Sequence, residues 1–319
     1  MTNYNKVFDE KQYRAVNKKA ALYYLERAKS AVLPLIVTDV PDAKEYVHPY
    51  FAAASGVTAG IEWNENERKM SVRHTYETYK LPRISGEIQI RNSDIANFGP
   101  YLIADKHEAE IAELVYEIDY AAFHGAKNDQ GIQLQEGLLG QLTTLQNKSS
   151  AAGHDCSTKG EIWHWIKEMI EDIPYAMRES GPDIIMWINE KVIAEAQAPD
   201  RIYQDMVEWD FIYNQFIGPK AVHGRKIGQV IITNLINTEA SDDTAAGSSN
   251  ADLADTLGTH GRILMCVPDK RWAGRVVSRG FSLIGEQQHM LHVDQLYGMR
   301  GRAIAFDGDA WNFSEALTF

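Results

Sequence analysis

Apolar and polar positions fall into a clear helical rhythm over residues 99–140. The stretch opens at Gly99-Pro100, runs YLIADKHEAEIAELVYEIDYAAFHG and reaches a Gly-rich GLLGQL. Ile111, Leu114, Val115, Ile118 and Ala122 recur at i, i+3, i+4, i+7 and i+11, which makes one apolar stripe. Glu110, Glu113 and Glu117 occupy the other side. Pro100 suits a first helical position, where its missing N–H has no partner to lose. Gly125 suits the residue just past the end, where a positive φ stops the helix. The spacing predicts one helix over 100–124, about 37 Å long at about 1.5 Å per residue. Taken alone, that stripe also fits a long core helix of an ordinary α+β enzyme.

Elsewhere the period shortens to two. Residues 34–60 are turn-rich; Leu35–Val37 reads as a short strand, and Pro41 and Pro49 are expected to break longer ones. Residues 57–92 read as extended chain. Ile61–Trp63 and Met70–Tyr79 alternate around the polar NENERK of residues 64–69, which predicts a two-stranded ribbon with a hydrophilic tip. Such a ribbon is marginal by itself in water and needs a surface to lie on. Ile84, Ile88 and Ile90 mark a half-buried strand that should pack with the long helix. The polar run from Gln146 to Asp155 is a candidate boundary.

Past that boundary, Ser157 or Thr158 can cap a helix, with Glu161 at capping-box distance. The helix EIWHWIKEMIEDIPYAM places Ile162, Trp165, Ile166, Met169, Ile170 and Ile173 on one side. Asp183–Ile188 reads as a buried strand and Asn189 as the start of another helix. Residues 221–236 read as a turn and a strand, 238–260 as a small, polar, acidic loop, and Arg262–Pro268 as a strand. Residues 275–313 hold further strand-like runs.

Composition narrows the class. The chain has 319 residues, 45% hydrophobic and 24% charged, as in a soluble globular protein with room for two packed domains. Its net charge of −12 argues against nucleic-acid affinity of the whole protein. Residues 1–30 run against that balance, with seven cations and three acids, a net +4. They include Lys11, Arg14, Lys18 and Lys19, on a segment of helical pattern that equally reads as a plain solvated amphipathic helix. Cys156 and Cys266 lack metal-type spacing and read as reduced thiols of a cytosolic setting, with one bridge left open. No apolar run reaches the roughly 18 residues of a membrane span. The first residues lack the apolar core of a signal peptide, so synthesis in a cytoplasm is the expectation.

Candidate chemistry is sparse. His289, His292 and Asp294 are metal-friendly, but on a continuous strand 289 and 292 would point to opposite faces. His154, Cys156, Glu161 and His164 offer a cysteine–histidine pair without an orienting or oxyanion group. Gly224-Arg-Lys-Ile-Gly228 lacks phosphate-loop spacing, and no G-x-S-x-G occurs. The seven tryptophans fit core and interface anchors. The expectation is no catalytic residue, no cofactor and no metal.

The succession KLPRISGEIQIRNSDIAN at 80–97, the long helix, DYAAFHG at 119–125 and EGLLG at 136–140 resembles the major capsid proteins of tailed viruses and the related encapsulin shells, the Hong Kong 97-type (HK-97-like) fold. The apolar strand, Asn and helix at 184–196 resemble theirs as well. The likeness implies an α+β chain with an N-terminal arm (1–53), an extended loop (54–82), a peripheral domain with a spine helix (83–150), an axial domain (151–274) and strands returning to the peripheral domain (275–319). It implies a structural protein, not an enzyme, that self-assembles as pentamers and hexamers into an icosahedral virus head in the host cytoplasm. The virion would enclose double-stranded DNA held non-specifically, with scaffolding, portal and decoration proteins as further partners and no membrane. Glu62, Glu65, Glu67, Arg68 and Lys69 would then be inter-subunit loop residues, and Lys11, Arg14, Lys18 and Lys19 an inner-face basic arm. An encapsulin loading a cargo enzyme and a soluble α+β enzyme with an unrecognised site are the other readings.

Overall fold

The computed structural model of the chain describes residues 35–53, 72–91, 110–127, 133–146, 156–236, 261–290 and 292–316. Lys11, Arg14, Lys18, Lys19, Glu62, Glu65, Glu67, Arg68 and Lys69 lie outside the described residues, as do Pro100, the polar run 147–155 and the loop 238–260. Along the chain come β1 (Val37–Asp39), β2 (Glu45–Ala53), β3 (Val72–Lys80), β4 (Arg83–Arg91) and helix α1, described over 110–124. The short pair β5 (Gly125–Lys127) and β6 (Gln133–Glu136) leads to α2 (Leu138–Gln146). Then follow α3 (Glu161–Asp172), α4 (Tyr175–Ser180), β7 (Ile184–Ile188), α5 (Glu190–Ala196), the small pair β8 (Ile202–Tyr203) and β9 (Met206–Val207), and α6 (Glu208–Ile212). The last elements are β10 (Ile227–Ile232), β11 (Gly261–Cys266), β12 (Ala273–Gln288), β13 (His292–Ala305) and β14 (Trp311–Ala316).

Two four-stranded sheets carry the architecture, which is α+β. The first has the order β1-β12-β13-β4, and the second β10-β7-β11-β14. Strands β12 and β13 form a long antiparallel hairpin, with register shifts in β12 that bend it. The stripe expected of α1 is buried: Ile111, Leu114, Val115 and Ile118 pack with Ile88, Tyr297 and Met299, with Ile84 alongside. Glu113 and Glu117 are exposed on the opposite side. Gly125 has φ 94° and ends the helix as its position requires.

The end of α1 lies where the two sheets meet. Phe123, Leu138, Leu139 and Leu142 share a cluster with Trp187, Leu264 and Trp311 of the second sheet and Ala303 and Ala305 of the first. Phe123 meets Trp187 edge-on, and Trp187 stacks on Trp311. Buried Gln141 fastens α2 to β13, donating to the Ala303 carbonyl and accepting from the Ala305 N–H. The aromatic-Gly passage and the Gly-Leu-Leu that follows therefore form one structural joint.

The second sheet buries the face of α3. Ile162, Trp165, Ile166, Met169, Ile170 and Ile173 share its cluster with β7 and β11. All five residues of β7 are buried, and Asn189 caps α5 through its side-chain oxygen and the Val192 N–H. Cys156 and Cys266 are buried thiols in separate clusters, with no disulfide between them, and burial pushes the Cys266 thiol well up.

Three local expectations are corrected, those on Pro49, on the length of α3 and on its cap. The described partner of β3 is β2, with Ala53 opposite Val72 and Glu45 opposite Lys80, and the Ile61–Trp63 run lies outside the described residues. Pro49 does not break β2; it sits inside the strand opposite Tyr76, because a two-stranded ribbon has an outer edge where no N–H is needed. The long α3 pattern divides at Ile173, whose extended backbone precedes Pro174, and α4 starts afresh. Neither Ser157 nor Thr158 caps α3: its N-cap is Gly160 at φ 88°. The Trp163 N–H is taken instead by the carboxylate of Glu208 at 3.0 Å. The chain's last described strand, β14, pairs with β11 in the second sheet.

Candidate functional site

The two clefts described, one beside Ile118 and Arg275 and one beside Arg83 and Arg300, are both open to solvent, and surfaces and projecting elements carry the exposed chemistry. The ribbon β2–β3 is the first. Its root packs on the first sheet, where Tyr79 and Leu81 share a cluster with Val276, Ile304 and Phe306, and Val40, Ala43 and Tyr46 close the side. The His48 ring stacks on Phe306 with centroids 3.9 Å apart and planes 10° apart. Burial lowers the His48 pKa, and the Glu77 carboxylate opposes that shift more weakly. The Leu81 N–H donates to the Lys44 carbonyl, closing the base of the ribbon. Beyond the root the chemistry changes: Tyr76 is 68% exposed and Val47 51% exposed. Exposed apolar and aromatic side chains on a strand pair offer contact area for another molecule.

The sheet that roots the ribbon carries a basic row. Arg279 lies opposite Arg300, and Arg300 opposite Arg83, so three adjacent strands align three guanidinium groups. Met299 and Ile84 pack toward α1, so Arg300 and Arg83, one residue along, point to the other face. Ile304 of the ribbon root is on that same face, since even-numbered positions of β13 alternate with those that meet α1. Like charges directly opposite across a sheet repel, so the row favours an anionic neighbour. Asp42 and Ser278 line the same shallow cleft. Sequence reading missed this row, because its members are scattered from residue 83 to residue 300 and only strand register aligns them.

At the far end of the β12–β13 hairpin, the structure corrects the separation expected for His289 and His292. The strand ends at Gln288, and the chain turns before His292 begins the next one. The turn is closed by the His289 N–H donating to the His292 carbonyl at 2.8 Å. His289 Nε2 and His292 Nε2 lie 3.1 and 3.3 Å from Asp294 Oδ2. Of the other cysteine–histidine candidate, Cys156 is buried in the α3 core and His164 meets Trp163 edge-on, while His154 lies outside the described residues.

The second sheet's end of the molecule exposes apolar groups of its own. Ile202, Met206 and Tyr213 crowd the β8–β9 turn and the π-helical turn that continues α6, and Ile232 is exposed on the outer strand β10. Beneath them sits a buried charge pair, Arg201 and Glu208, at 3.6 Å. Arg201 also donates to the carbonyls of Cys156 and Thr158, so the pair braces the start of α3. Glu208 Oε2 lies beyond hydrogen-bond distance of any group, and its contact with Arg201 is coulombic. No helix among the described residues is long and apolar enough to cross a membrane.

No protein-family model and no curated protein matches the sequence. Solved structures do match in shape. The capsid of Myoviridae phage XM1 is 14% identical with a TM-score of 0.60, over 93% of this chain and 92% of that one. The virus-like particle from Pyrococcus furiosus is 11% identical with a TM-score of 0.59, over 95% and 99% of the two chains. The encapsulin of Synechococcus elongatus is 9% identical with a TM-score of 0.51, over 88% and 84%. The spine helix, the rooted ribbon and the two sheets are therefore the Hong Kong 97-type fold that phage capsids and encapsulin shells share.

Proposed function

We propose that this chain is a major capsid protein that assembles with copies of itself, as pentamers and hexamers, into an icosahedral virus head enclosing double-stranded DNA. The observation that carries the reading is the ribbon, which is rooted on its own sheet and leaves Val47 and Tyr76 uncovered; on this reading it belongs to the extended loop that meets the neighbouring copy. On this reading the chain works by burying surface between copies rather than by catalysis, and obligate contacts of that kind bury roughly 2,000–5,000 Å². The first sheet and α1 form the peripheral unit, and the second sheet the axial unit at capsomer centres. The acidic residues Glu62, Glu65 and Glu67 of one copy would lie on the Arg83, Arg300 and Arg279 row of the next. Arg68 and Lys69 would then pair with acids at the rim. Lys11, Arg14, Lys18 and Lys19 would face the packaged phosphates, with the virion as the destination and scaffolding, portal and decoration proteins as helpers.

A cellular compartment shell loading folded cargo is the second reading. The basic, helix-patterned first thirty residues favour it, and the likeness to the Pyrococcus particle and to the encapsulin supports it. Electron microscopy of the purified recombinant chain, alone and with a co-expressed scaffold, tests both. Discrete hollow icosahedral particles are expected. Particles filled with folded host protein would favour the compartment, and particles competent to take up DNA would favour the virus. A monodisperse monomer or dimer under every condition would refute both shell readings.

A further inference from the structure

The hairpin tip holds the one group of three histidine, cysteine or carboxylate side chains among the described residues whose donor atoms converge on a point. His289, His292 and Asp294 each offer one ligand atom, all within 4.8 Å of one another. We propose that this tip is a mononuclear binding site for a first-row transition-metal ion of the zinc type. Two imidazole nitrogens and one carboxylate oxygen are the ligands, and water is the fourth. The proposal is independent of the shell reading.

Four observations support the donor set. The first is spacing. Zinc sits about 2.0–2.1 Å from nitrogen and oxygen ligands in tetrahedral sites, and the edge of such a tetrahedron is roughly 3.3 Å. The Nε2–Oδ2 separations of 3.1 and 3.3 Å match two of its edges. The second is convergence. Both histidines meet the same oxygen, Oδ2, through Nε2, which sets three candidate donor atoms around one point.

The third is support from an outer partner. Asp294 Oδ1 accepts from Gln89 Nε2 of the neighbouring strand at 3.3 Å. Metal-binding carboxylates are held in this way, with one oxygen fixed by a neighbour and the other turned to the ion. Strand register produces the arrangement, because Gln89 lies directly opposite Asp294. The fourth is preorganisation. The two imidazole rings stack with centroids 4.5 Å apart, and the backbone bond between residues 289 and 292 fixes the turn. Ordering two histidine side chains on binding therefore loses little conformational freedom. The side chains of His289 and His292 are 38% and 30% exposed, so an ion can reach the site and water can complete it.

Equilibrium titration of the untagged full-length chain with zinc chloride, against a chromophoric chelator, tests the site. Cobalt(II) substitution reports its geometry. One ion per chain is expected, with the intense visible bands of four-coordinate cobalt. His289→Gln, His292→Gln and Asp294→Asn should each weaken binding at least tenfold. Gln89→Ala, which spares all three ligands, should weaken it by roughly tenfold as the loss of an outer-shell partner does. His223→Gln, which alters a histidine bonded to the Glu179 carbonyl in another part of the fold, should leave it unchanged. Circular dichroism and hydrogen exchange of each variant separate lost ligation from lost folding. A parent chain without a stoichiometric ion overturns the assignment, as does undiminished binding by both histidine variants.

Discussion

Truncating Phe306 to alanine removes the root on which the ribbon stands. Phe306 is buried, stacks on His48, meets Tyr79 edge-on with centroids 5.9 Å apart and lies 6.0 Å from the Tyr46 ring. Phe-to-Ala changes in packed cores cost about 3–5 kcal/mol. A two-stranded ribbon has almost no stability of its own, so the free energy holding it closed comes mainly from this cluster. If the ribbon loses about 3 kcal/mol, its opened population rises roughly a hundredfold, at about 1.4 kcal/mol per factor of ten. Hydrogen–deuterium exchange on the full chain measures that population directly. Amides of Glu45–Ala53 and Val72–Lys80 should exchange roughly a hundred times faster, while Ile184–Ile188 and Gly261–Cys266 keep the parent rate. Ribbon amides unchanged in Phe306→Ala would refute the reasoning. So would equal acceleration in both sheets, because the loss would then be global.

Three further outcomes are expected. Burial lowers the His48 pKa, so the folded state prefers the neutral ring and the unfolded chain binds more protons. His48 therefore contributes fully above the ordinary histidine value and loses its contribution as pH falls through and below it, which ribbon exchange against pH should show in the parent and not in His48→Phe. Glu208→Ala removes one of the two carboxylates beside Arg201, which keeps Glu195 at 3.4 Å, and leaves the Trp163 N–H without its acceptor, a loss of about 1–3 kcal/mol. Glu208→Gln keeps an acceptor for that N–H and should lose less in denaturant unfolding; equal losses would contradict the bracing role. Gly160→Ala forces a left-handed backbone, about 1–2 kcal/mol, and drives its Cβ into the Tyr203 ring, so a variant melting at the parent temperature would contradict the helix start described.

Local rhythm alone determined α1, the buried face of α3, strand β7 and the Asn189 cap, because each rests on side-chain period or on a hydrogen bond a few residues long. The order of those elements also resembled the shell fold that the solved structures share. What the tertiary structure decided are contacts between distant parts of the chain. The partner of Val72–Lys80 proved to be a proline-bearing strand, since only pairing shows which edge is left unbonded. The side-chain acceptor for the first turn of α3 came from Glu208, 45 residues beyond Trp163, and not from the side chain of neighbouring Ser157 or Thr158. The arginine row exists only because strand register sets residues 83, 279 and 300 side by side. The His289, His292 and Asp294 group exists because the chain leaves its strand at 288 and folds back, which cancels the alternation that would have kept the two rings apart. Periodicity fixes which face a residue shows within its own element; long-range register and turns fix which faces meet, and no local pattern encodes them.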